Sequence, residues 1–97
     1  MTVTVVNKRT NTLPAVYVGR GSIFGNPFPV TLGREKCIEM YQERFDTLMS
    51  QDCLYKKAVL DLVRRARLGD IRLECYCAPL ACHGDIIKKY IDDALAV

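Results

Sequence analysis

Twice in this chain a short β-branched or alternating run stops abruptly at a segment that is neither strand nor helix, and a helical pattern follows. The two runs are residues 15–18, Ala-Val-Tyr-Val, and residues 71–77, Ile-Arg-Leu-Glu-Cys-Tyr-Cys. In the second, Ile71, Leu73, Cys75 and Cys77 alternate with Arg72, Glu74 and Tyr76, which is the two-residue period of a strand. A third run, residues 2–7, precedes both and ends where Asn11, Thr12 and Pro14 signal a turn. Strand, loop and helix repeated in this way predict an α/β fold, with a small open, mostly parallel sheet covered by helices.

The helical stretches are legible from their apolar faces. Ile38, Tyr41, Phe45, Leu48 and Met49 share one side of a first helix, on which Cys37 also faces the core. Gln51-Asp52 interrupts it, and Asp52 is the expected N-cap of a second helix; Cys53 beside it has no special role. That helix turns Tyr55, Ala58, Val59, Leu62, Val63 and Ala66 inward. Gly69-Asp70 closes it, with the glycine expected in a left-handed cap conformation. A last helix over residues 85–95 buries Ile86, Ile87, Tyr90, Ile91, Ala94 and Leu95. The predicted order is β-β-α-α-β-α, in a single domain over residues 1–97, without internal repeats.

Composition excludes several classes. A chain of 97 residues has one modest core, and extra burial would come from short loops or from a second copy, so a homodimer is compatible with it. A hydrophobic fraction of 49% with 26% charged residues is that of a globular protein. No apolar run approaches the ~20 residues of a membrane span, and residues 1–8 lack the pattern of a secretory leader. Five cysteines, an odd number without secretory context, predict reduced thiols and a cytoplasmic location. The net charge of +3 favours a small anionic ligand but argues against nucleic acid, whose binders concentrate more charge on one face. The basic run Arg64-Arg65-Ala66-Arg67 is read as a solvated last helical turn.

Open α/β sheets bind ligands beyond the carboxyl ends of their strands, and both irregular segments fall there. The first, residues 19–28, contains Gly19, Arg20, Gly21, Ser22, Gly25, Asn26, Pro27 and Phe28. Its glycines let the backbone approach a ligand, and Arg20 is suited to gripping a phosphate or carboxylate. Asn26, held extended before Pro27, offers a fixed amide. Ile23, Phe24, Phe28 and Val30 either anchor this loop to the core or, for the two phenylalanines, stack on a base. It is neither a Walker loop nor a dinucleotide fingerprint.

The second segment is Cys75-Tyr76-Cys77-Ala78-Pro79-Leu80-Ala81-Cys82-His83-Gly84-Asp85, in which residues 78–82 are expected to form a tight loop. Three readings stay open. Cys82 and His83 open a helix whose free N–H groups and dipole favour an anion, with Cys82 as a nucleophile whose thiol pKa is lowered, or with His83 or Asp85 moving a proton. Alternatively Cys75, Cys77, Cys82 and His83 ligate zinc, although Cys-x-Cys is not the usual spacing. In the third reading these thiols are small buried apolar groups, and Asp85 merely favours a helix start.

Val18-Gly19-Arg20-Gly21-Ser22, Gly25-Asn26-Pro27-Phe28 and Cys75-x-Cys77-x-Pro79-x-x-Cys82-His83-Gly84-Asp85 together resemble one family over nearly the whole chain: the domain of unknown function numbered 4326, found in phages and bacteria. The strand leading into Cys82-His83 is also similar to an uncharacterised Rossmann-like family that carries Cys-His-Arg, where this chain has Gly84 in place of the arginine. The resemblance implies a Rossmann-like fold and a shared pocket, in a bacterial or phage-infected cell, and transfers no reaction. The functional expectation is a protein that binds a small nucleotide or sugar phosphate, with or without turnover of a nucleotide or nucleoside. The alternatives are a non-catalytic phage module that sequesters a nucleotide or binds a host protein, and a small zinc-binding domain. No cofactor is expected, zinc in the second of these alternatives aside.

Overall fold

The structure is a computed structural model and describes residues 2–77 and 80–96, with Val30 described by its backbone alone. Among these residues, β1 (Val3–Asn7), β2 (Val16–Tyr17) and β3 (Ile71–Cys75) form one parallel sheet in the spatial order β1-β3-β2. The helices are α1 (Arg34–Met49), α2 (Leu54–Leu68) and α3 (His83–Leu95), and a short 3-10 turn, Val30–Leu32, leads into α1. The order is the predicted β-β-α-α-β-α.

The last strand in sequence is the central one. Leu73 stands opposite Val5 on one side and Val16 on the other, and Asn7 pairs with Cys75. Leu73 and Cys75 face the helical layer and are almost fully buried. Helix α3 lies on β1 and β3, α2 packs on α3, and α1 packs on both helices. Ile87 and Ile91, one turn apart on α3, are fully buried, each contributing on the order of 1.5–3 kcal/mol relative to exposure. On the opposite face, Glu74 accepts hydrogen bonds from Lys8 Nζ at 3.2 Å and Asn11 Nδ2 at 3.1 Å. Arg72 donates to the Pro14 carbonyl at 3.4 Å. These bonds hold residues 8–14 along that face.

The paired helices α1 and α2 also fasten the 19–28 loop. Tyr41, buried on α1, donates to the Phe24 carbonyl at 2.6 Å. A phenol has one proton, so Tyr55 of α2 must donate to Tyr41 across their 2.6 Å contact. Phe24 is buried edge-on against the Tyr55 ring, so it pins the loop to the core.

Several boundaries differ from the sequence reading. Cys53 occupies the N-cap position of α2 with no side-chain cap bond, so Asp52 is not the cap. Gly69 has φ 171° and ψ −174°, an extended backbone that needs no glycine, and the left-handed cap expected there is absent. Strand β3 ends at Cys75, two residues before the predicted end, and Tyr76 beyond it is half exposed. Helix α3 begins at His83, two residues before the predicted start. Within the predicted 78–82 loop, Ala78 and Pro79 lie outside the described residues, and Leu80 N–H closes a turn on the Cys77 carbonyl at 2.8 Å.

Candidate functional site

Three parallel strands with helices on one face leave a crevice where the strands end, and here it is a cavity of about 430 Å³. The 19–28 loop contributes Gly19, Arg20 and Asn26 to its wall. The segment around the end of β3 contributes Cys75, Cys77, Cys82 and His83. The two irregular segments therefore meet, as their positions at strand ends imply. The cavity also takes in Tyr17, Gly33, Arg34, Cys37, Ile38, Tyr76 and Ala81, which the sequence reading did not single out for the site.

Two helices start at this cavity. Gly33, with φ +90°, precedes α1, which has no side-chain cap, and Gly33 and Arg34 both line the cavity at this helix start. Helix α3 is capped by its own residues. The Cys82 sulfur accepts the N–H at the third helical position, and the Asp85 carboxylate accepts the Cys82 N–H at 3.1 Å. Asp85 is exposed, does not line the cavity and caps the helix, the role the sequence offered as the alternative to moving a proton.

His83 is the first residue of α3, and its Nε2 lies 2.5 Å from the Val18 carbonyl. A carbonyl only accepts, so Nε2 carries the proton and neutral His83 keeps a lone pair on Nδ1. Burial lowers its pKa below the usual value, which keeps the ring neutral. Among the described residues no buried side-chain nitrogen or oxygen lacks a partner, and His83 lines the cavity, so Nδ1 opens onto it. The ring is tilted against Tyr41 at 5.0 Å between centroids.

Cys82 departs from the nucleophile reading. Its sulfur lies 3.2 Å from that of Cys75 in a buried setting. Burial and this contact push the Cys82 thiol up to about 12, and the backbone N–H at the helix start lowers it by less. A helix start lowers a thiol pKa only where the sulfur meets water or a cation, and here it meets another thiol. The sulfurs of Cys75, Cys77 and Cys82 lie within 4.8 Å of one another, and His83 is not part of that group. Cys37 is buried on the cavity wall and donates to the Pro29 carbonyl at 3.0 Å.

Much of the polar equipment of the 19–28 loop serves the loop itself. Arg20 donates to the carbonyls of Asn26 at 2.5 Å and Phe28 at 2.7 Å. Asn26 is buried, donates to the Cys37 carbonyl at 3.2 Å and accepts the Phe28 N–H at 2.9 Å. Ser22 donates to the Gly19 carbonyl at 2.7 Å. Gly21 supplies a turn with φ +94°. A side chain at Gly25 would stand 2.7 Å from the Gly19 carbonyl oxygen, so glycine there permits close approach of loop to loop. A carbon added at Gly84 would stand 3.3 Å from the Cys82 sulfur and in ordinary contact with Val5 and Val18. Pro27 is exposed, and Phe28 borders a separate shallow hollow with Met40 and Arg44. None of Gly21, Ser22, Gly25, Pro27, Phe28 or Gly84 lines the cavity, so the structure does not bring these expected ligand-binding residues to it.

Arg34, missed in the sequence, donates to the Ala81 carbonyl at 2.9 Å and bridges α1 to the approach of α3. Its one signal was a cation directly after a glycine at a helix start. Tyr17 and Tyr76 meet edge to face at 6.3 Å on the rim, with Arg9 over the Tyr76 ring at 5.5 Å.

The profile of the family described as Domain of unknown function (DUF4326) matches residues 4–93. The chain belongs to the DUF4326 family. It is also 35% identical over 89 residues to an uncharacterized 12.4 kDa protein in the nrdA-td intergenic region of Enterobacteria phage T4, covering 91% of this chain and 76% of that protein. No solved structure matches. Of the described residues in the motifs that carry the resemblance of this DUF4326 chain, Gly19, Arg20, Asn26, Cys75, Cys77, Cys82 and His83 line the cavity. Among the described residues no helix is long and apolar enough to cross a membrane.

Proposed function

We propose that this DUF4326 protein binds a small anionic ligand of the nucleotide or sugar-phosphate class in the cavity at the strand ends, in the cytoplasm of a bacterial or phage-infected cell. The observation that carries the reading is the charge of the cavity wall. Arg20 and Arg34 line it together with the start of α1, and no carboxylate is among its described lining residues. A volume of about 430 Å³ suits a mononucleotide, in the ordinary range for small-molecule pockets. Tyr17 and Tyr76 offer aromatic faces at the rim for a base or sugar. Asn26 contributes less than its motif suggests, because its amide already serves Cys37 and Phe28.

Binding is favoured over turnover by the same geometry. The Cys82 sulfur is buried against that of Cys75 and Asp85 is engaged as a cap, which leaves His83 Nδ1 as the group able to accept a proton or a hydrogen bond from the ligand. An enzyme acting on a nucleotide or nucleoside would have to rest on that one nitrogen.

The test is a thermal-shift and calorimetric screen with inorganic phosphate, nucleoside mono- and triphosphates and sugar phosphates. Arg34→Ala is the informative variant, because this exposed side chain makes a single bond to Ala81 and its loss leaves the core intact. Binding weakened about tenfold or more in Arg34→Ala is the expected result, the scale of one charge-assisted hydrogen bond. Absence of any ligand-induced shift across the screen overturns the proposal. Product formation by the wild type that His83→Ala abolishes would assign an enzyme instead of a binder.

A further inference from the structure

Cys75, Cys77 and Cys82 have no role in the anion reading, yet three of the five cysteines converge at one point of the cavity wall. We propose that these three sulfurs form a binding site for one Zn²⁺-like ion, with its fourth coordination position facing the cavity. The chain reaches this arrangement from two directions. Cys75 ends β3 and Cys77 follows two residues later, while Cys82 stands at the N-cap of α3, where the chain comes back over the strand end.

The spacing fits. Sulfurs bound to a tetrahedral ion at about 2.3 Å lie about 3.8 Å apart. The three sulfurs here are already within 4.8 Å of one another, and the Cys75–Cys82 pair stands at 3.2 Å, so small side-chain rotations admit an ion. Access comes through Cys77, which is only half buried, whereas Cys75 and Cys82 are enclosed.

The surroundings suit the charge. Three thiolates and a divalent ion carry a net charge of −1, and the cavity wall holds Arg20 and Arg34. The sulfur of Cys82 also accepts a backbone N–H from the first turn of α3, the kind of second contact that steadies a metal-bound thiolate. On binding, each thiol forms a sulfur–metal bond and releases its proton to solvent, three protons per ion, with no oxidant or reductant involved. His83 is not a ligand in this site, because its protonated Nε2 is engaged with Val18 and the histidine stands outside the sulfur group. The open fourth position is left to water or to an oxygen of a cavity ligand, as in zinc sites with three protein ligands.

The inference does not rest on anion binding, and its probe is a metal ion alone. The reduced full chain is titrated with Co²⁺. A sulfur-to-cobalt charge-transfer band and tetrahedral visible bands saturating at one equivalent are expected, followed by displacement with Zn²⁺. Cys77→Ser should weaken binding at least tenfold and diminish the charge-transfer band, and Cys53→Ser, remote from the cavity wall, should leave both unchanged. Should Cys77→Ser fail to fold, X-ray absorption of the zinc-loaded wild type decides: three sulfurs at about 2.3 Å with one lighter neighbour support the site. A reduced wild type with no charge-transfer band, a Cys77→Ser variant that binds as the wild type does, or a zinc shell with one sulfur or none overturns it.

Discussion

Arg20 shows how a side chain's neighbours decide its use. Set between two glycines, it reads as a free guanidinium reaching for an anion, but in the folded loop it clasps the carbonyls of Asn26 and Phe28. Its charge still faces the cavity while its geometry serves the loop. Asn26 is the other half of this clasp, and Asn26→Ala removes one buried and one part-buried hydrogen bond and leaves the Cys37 carbonyl without this donor. A loss of about 1–3 kcal/mol in unfolding free energy is expected in urea titration. The glycines divide in the same way. Gly25→Ala forces a new carbon to within 2.7 Å of the Gly19 carbonyl oxygen, so a clear drop in melting temperature is expected. Gly69 has an extended backbone and nothing within 4 Å of an added carbon, so Gly69→Ala should stay within about 0.5 kcal/mol of the wild type by the same measurement.

At the level of elements, carboxylates on and beside the central strand tie neighbouring segments to the sheet and also set its response to acid. The Glu74 carboxyl is held below its usual value near 4.5, chiefly by the hydrogen bond from Asn11, with Lys8 adding to the effect and burial opposing it. Asp70 is held low by the N–H of Thr2, which it accepts at 2.8 Å at the start of β1. A carboxyl with a depressed folded-state pKa contributes stability that is complete above its unfolded value. That contribution is lost as pH falls through the folded value. Between pH 6 and pH 3 the melting temperature of the wild type should therefore fall more than that of Glu74→Gln, in scanning calorimetry or circular dichroism. Parallel curves for the two proteins would show that the Glu74 contacts add nothing to the hold on residues 8–14. The helices needed no such local ties to be recognised. The face of α2, with Tyr55, Val59, Leu62, Val63 and Ala66 buried, is the face its apolar period marks.

For the molecule as a whole, cavity occupation and folding are linked. A ligand that binds only the folded chain adds about 2.7 kcal/mol at 100 times its Kd, which in a domain of this size raises the melting temperature by upwards of about 10 °C. A matching inorganic phosphate series should give a smaller shift than a nucleotide if Tyr17 and Tyr76 contact the base or sugar. The α/β class, the element order and the meeting of residues 19–28 with 75–85 were legible in the chain, because alternation, helical period and position after a strand are local properties. What local pattern cannot carry is the partner of a polar group. Whether Arg20 meets a ligand or its own loop, whether Asp85 moves a proton or caps a helix, and whether the Cys82 thiol meets water or Cys75 all depend on atoms brought close from elsewhere in the chain. Arg34 and Tyr17 joined the cavity for the same reason, since only the packing of α1 on α3 and the pairing of β2 with β3 set them on its wall. The sequence alone marked the strand ends at which the cavity lies, and the tertiary structure decided which residues line it and which are engaged elsewhere. Burial and hydrogen bonding use up the chemistry of a side chain, and both arise only when the chain has folded.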